Sequence, residues 1–144
     1  MDQGPVVETL NKILPRVARS LAVYAADARP WLSRGEDRLR AALSALASDQ
    51  RFYANRLAAT ILELGGQPEL GRFPTEFTDL HDVAAGYLAA RLVCQQQADL
   101  AAIGRLAGRL PEGSPARQLA EEIRGNLQGH LDILGELATS PPNP

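Results

Sequence analysis

Four stretches of this chain repeat apolar residues at spacings of three and four, and clusters of proline and glycine separate them. At 3.6 residues per turn that spacing gathers the apolar side chains on one helical face, which leaves little room for any fold but packed helices. The first stretch runs from about Pro5 to Ala28 and aligns Val6, Leu10, Ile13, Val17, Leu21 and Tyr24. Pro15 lies inside it, lacks an amide donor and crowds the Asn11 carbonyl, so a kink or a late start is predicted there, with a regular helix after it. The second opens at Ser33, with Glu36 three residues on as a capping box. It carries Leu39, Leu43, Leu46, Gln50, Tyr53, Leu57, Ile61 and Leu64, and Gly65-Gly66 with Pro68 stops it. The third starts at the cap Thr78 and carries Leu80, Ala84, Tyr87, Leu88, Arg91, Gln95, Ala98, Ala102 and Leu106. In the fourth, Ser114 caps and Pro115 takes the first helical position, followed by Leu119, Ile123, Leu127, His130, Leu134 and Leu137. Residues 1–139 are thus expected to form one domain, and 140–144 a disordered tail.

The connections between these helices run short, long, short. Short links force antiparallel neighbours. The long one, of about 13 residues, spans roughly 43 Å when extended, close to the ~45 Å of a 30-residue helix. It can therefore cross a bundle lengthwise. The prediction is an all-α antiparallel four-helix bundle, two hairpins joined by a long crossover between the second and third helices, with an ordered loop on a plain up-down bundle as the alternative.

Composition narrows the function classes. A chain of 144 residues can bury a continuous core without disulfide or metal support. Its formal charge of -2 gives no basic footprint, which argues against nucleic-acid binding. No long apolar run predicts a membrane span, and no basic, apolar leader follows Met1, so a cytoplasmic setting is expected. Lys12 is the only lysine, an Arg bias that fits a GC-rich genome. Cys94 is the only cysteine; it excludes an intramolecular disulfide and reads as a small core hydrophobe.

The hairpin-crossover-hairpin layout, the run Arg56-Leu57-Ala58-Ala59-Thr60-Ile61-Leu62-Glu63-Leu64-Gly65-Gly66-Gln67-Pro68, and Gly129-His130-Leu131 on the last helix carry a resemblance. Together they resemble the ferritin-like superfamily, its bacterioferritin-like and rubrerythrin-like members above all, over most of the chain. The resemblance implies a carboxylate-bridged diiron site: a Glu-x-x-His pair from each of two helices and a lone Glu from each of the others. Carried over residue by residue, the second-helix pair falls on Gln50 and Tyr53, and the fourth-helix pair on Leu127 and His130. The lone carboxylates fall near Val17 and on Gln95. His130 is the only retained ligand type. Asp49 and Glu63 lie off the second-helix stripe and do not restore a bridge.

The departures define the candidate residues. Gln50, Tyr53, Gln95, His130 and Tyr24 are expected to form a polar cluster in the bundle centre, a hydrogen-bonded network filling the place of the metals. A second candidate cluster, Asp79, His81 and Asp82, opens the third helix, where the two aspartates also suit the positive helix end. Trp31 is expected to close one end of the bundle. No Ser/His/Asp constellation or phosphate-binding glycine loop is legible, so no catalytic residue is assigned. The expectation is a non-catalytic structural or protein-interaction module without a cofactor, self-associating as a dimer through an exposed helix face. Its protein partners are not named by the sequence. The alternative is a bundle that binds a single metal ion or a small ligand at the Gln/Tyr/His cluster. A third reading is an adaptor docking through its Arg-rich faces and Pro-rich tail.

Overall fold

The computed structural model describes residues 3–28, 37–75, 77 and 85–139. It is all-helical, with no strand among the described residues: α1 (Gly4–Ala18), α2 (Leu21–Ala28), α3 (Asp37–Glu63), α4 (Ala85–Ala107) and α5 (Pro115–Thr139). Trp31, the Ser33/Glu36 box, Thr78, the Asp79/His81/Asp82 cluster and the 140–144 tail lie outside the described residues. No helix among those described is long and apolar enough to cross a membrane.

α1 and α2 together take the place of the expected first helix, and the interruption is not where proline predicts it. Pro15 sits inside α1, whose helical bonding continues as far as Arg19 N–H to the Pro15 carbonyl at 2.8 Å. The break comes at Arg19 and Ser20. The Ser20 hydroxyl accepts the Val23 amide at 3.1 Å and so caps α2, offering the backbone an alternative to an unbroken helix.

α3 ends as its sequence predicts. Gly65 has φ 86°, a left-handed value that a residue with a Cβ adopts at a cost. Gly65 N–H bonds the Leu62 carbonyl at 3.0 Å and Gly66 N–H bonds that of Ile61 at 2.9 Å, the paired bonds of a Schellman stop. Gly66 also lets the chain pass close over α1, since a Cβ there would lie 2.4 Å from Val7 Cγ1. Before α5, Ser114 Oγ accepts the Arg117 amide at 3.2 Å, the cap expected.

α1 and α2 pack on α3, α3 packs on α5, α5 on α4, and α4 returns to α1, closing a ring of helices. Leu10, Ile13, Leu14 and Leu21 from the first pair meet Leu46, Leu57 and Ile61 of α3 and Leu88, Leu92 and Ile103 of α4 in the core. The segment after α3 lies against the first pair. Asn11 Nδ2 donates to the Gln67 carbonyl at 2.9 Å and its Oδ1 accepts the Glu69 amide at 2.9 Å. Gly71 rests on Pro15, and Phe73 meets Tyr24 edge-on with ring centroids 5.4 Å apart.

Candidate functional site

The centre of the bundle holds a short polar chain. Ser20 Oγ donates to Gln50 Oε1 at 2.5 Å, and Gln50 Nε2 donates to Gln96 Oε1 at 3.1 Å. All three residues are buried, and the helix break places the serine: with Ser20 capping α2, its hydroxyl faces α3. Gln96 Nε2 is buried without a partner among the described residues, a donor whose desolvation they leave uncompensated.

Beside it, Asp99 of α4 is buried and accepts a bond from Arg16 Nη1 of α1 at 3.0 Å. Burial pushes its carboxyl above the ordinary carboxylate value, and the bonds from Arg16 and Gln95 oppose that rise. The carboxylate is thus engaged by a guanidinium.

A second polar level joins α3 to α5. Asp49 Oδ2 accepts Asn126 Nδ2 at 2.9 Å and lies 2.7 Å from His130 Nε2. The Asn126 bond first, and the His130 bond second, hold the Asp49 carboxyl below its ordinary value. Two turns on along α3, Arg56 pairs with Glu122, and the Tyr53 hydroxyl donates to the same carboxylate. Burial, with that bond, raises the phenol's pKa.

The expected central cluster is therefore divided. Gln50 alone sits in the core network. Tyr53 reaches Glu122, His130 reaches Asp49, and Tyr24 lies away from the centre between Phe73 and Phe77. Gln95 is half-buried and turns to Asp99, whereas Gln96 takes the seam. On α4, Leu88, Ala102 and Leu106 are buried as expected, but between them Leu92, Gln96 and Asp99 take the seam in place of Arg91, Gln95 and Ala98, each displaced by one residue, and Tyr87 is exposed. Alanine on every side of this helix gives its apolar pattern little contrast, and an aspartate at position 99 argues for solvent until its Arg16 partner is known. Ser20 and Asp49 were both missed, the first because it lies in the predicted middle of a helix. Cys94 is exposed, not a core residue.

These residues do not fit a diiron site. At the centre, the donors are two amides and a hydroxyl; Asp99 is tied to Arg16 and His130 to Asp49, so among the described residues no carboxylate is placed to bridge two ions. Among the described residues no group of three or more His, Cys, Asp or Glu is arranged to hold a metal ion. An open groove of about 460 Å³ also runs outside α4 and α5, with Arg105 and Arg124 flanking Gly104. Arg124 is bonded to Glu121 at 3.4 Å, which offsets one of its positive charges. Comparison with protein-family models, with curated proteins and with solved structures finds no match to this chain.

Proposed function

We propose that this chain is a ferritin-like bundle that has lost diiron chemistry and works as a non-catalytic structural or protein-interaction module. The observation that carries this reading is the Ser20–Gln50–Gln96 chain at the level where the resemblance calls for metal ligands. Neutral amides that bond one another stabilise the packing of three helices, but they supply neither the charge nor the bridge that two divalent ions need.

The order of contacts supports the topological half of the proposal. Val7 meets Gly66 while Ser20 meets Gln50, and Arg56 meets Glu122 while Asp49 meets His130. Numbers that rise on one helix as they fall on its neighbour are what antiparallel pairs require. Contacts of Gln67 with Asn11, Gly71 with Arg19 and Phe73 with Tyr24 advance along the first helix pair, which favours a lengthwise crossover between α3 and α4.

Titration of the metal-stripped full chain with ferrous iron under argon, followed by air, tests the reading. Substoichiometric iron and no ferric-oxo absorption are expected. Two irons bound and oxidised per chain would return the protein to the diiron enzymes.

One observation favours a second reading, a small ligand held in the core. The orphan Gln96 Nε2 is a donor, so it suits a neutral or anionic acceptor better than a cation. On that reading Gln96→Leu abolishes uptake of a small acceptor such as azide; on the first, neither chain takes it up.

A further inference from the structure

We propose that the outer edge formed by α3 and α5 is a docking surface for a second copy of this chain. The inference rests on the interaction-module reading and names the partner. Two lines of residues run along the outer edge where these helices meet: Ala45, Asp49, Phe52 and Arg56 on α3, and Glu122, Asn126, Gly129 and Ile133 on α5. Spacings of three and four keep each line on one helical edge. The bonds from Asp49 to Asn126 and His130, and from Arg56 to Glu122, set the level of one line against the other. Ala45 therefore lies level with Ile133, and Phe52 with the turn between Gly125 and Gly129.

Large and small side chains alternate across these levels. Phe52 is 55% exposed and Ile133 50%. Gly125 and Gly129 sit within a 25-residue helix, where glycine is unfavourable relative to alanine. A Cβ at either would meet nothing within 4 Å, so no packing among the described residues requires glycine. A two-fold axis parallel to the helices sets α3 of each copy against α5 of the other at equal height. Phe52 of each copy then enters the notch at Gly125 and Gly129 of the other, and Ile133 covers Ala45.

The charges complement one another in the same arrangement. Arg56 of each copy reaches the level of Glu122 of the other, so the two internal pairs close into a ring of alternating sign. α4 also exposes Tyr87 and Cys94, but its one acid, Asp99, is buried, and no such ring can form there.

Sedimentation of the full chain between roughly micromolar and roughly millimolar concentration gives the first test, and a monomer–dimer equilibrium is expected. In a Cys94→Ser background, oxidising a mixture of the Ala45→Cys and Ile133→Cys chains is expected to link unlike chains only. Gly129→Leu is expected to loosen the dimer about tenfold or more, as filling the notch excludes Phe52. Gly129→Ala serves as the folding control: it is expected to raise the melting temperature of the dilute monomer while also weakening the dimer. A monomer throughout, links between like chains, or a dimer indifferent to Gly129→Leu would overturn the proposal. None of those results touches the loss of diiron chemistry, whereas iron uptake and oxidation would remove that reading and leave the dimer standing.

Discussion

Ser20 holds two bonds with one hydroxyl, accepting from the first turn of α2 and donating to Gln50 in the core. Ser20→Ala removes the cap and strands the Gln50 carbonyl oxygen, and a loss of about 1–3 kcal/mol is expected in urea unfolding. Asp49 belongs to the same scale but acts through pH. Its folded-state pKa lies below the ordinary 3.8, so its contribution is complete above that value and is lost as pH falls through the lowered one. Asp99 runs the other way: with its pKa raised, it costs stability as pH climbs through the window above 3.8. The melting-temperature advantage of the native chain over Asp49→Asn should therefore be largest near pH ~6 and shrink towards pH ~3. An advantage that stayed constant would mean the Asn126 and His130 bonds contribute nothing to the charged form.

The helices are where the sequence reads best and where its limits are physical. Gly66 is the clearest case. It follows the Schellman stop, and adding a methyl there drives Val7 off its seat on α1. Gly66→Ala is expected to cost about 1–3 kcal/mol by overpacking, measured by thermal or urea unfolding. The Gly65 stop and the Ser114-Pro115 start were legible because capping chemistry is local to a few residues. The break at Ser20 was not, since the serine that caps α2 lies inside an apolar stripe that continues past it, and its bond to Gln50, thirty residues away, is invisible locally. The same reason divides the site. Gln50 could be placed on its stripe from leucines at fixed spacing. Gln96 could not be preferred to Gln95, because Gln95, Gln96 and Gln97 run together and the burial of Asp99 depends on Arg16. His130 was visible as a polar residue on an apolar stripe, and its bond to Asp49 was hidden by the reading of Asp49 as a residue off the face.

At the scale of the whole molecule, the polar groups fall into two tiers: a core chain joining α2, α3 and α4, and an outer tier joining α3 to α5. The first fixes how three helices meet, and the second runs beside the edge proposed to meet another copy. The segment that leaves α3 has a role of its own. It is fastened to the first helix pair on both sides of the exposed Arg72, through Gln67 and Gly71 before it and Phe73 after it. Both ends of a cut at Arg72 would stay gripped by the same helices, while the halves on either side still shared their apolar core. A chain cut at that point is therefore expected to stay folded, and two separately synthesised pieces to reassemble into the whole, which their co-elution on mixing would check.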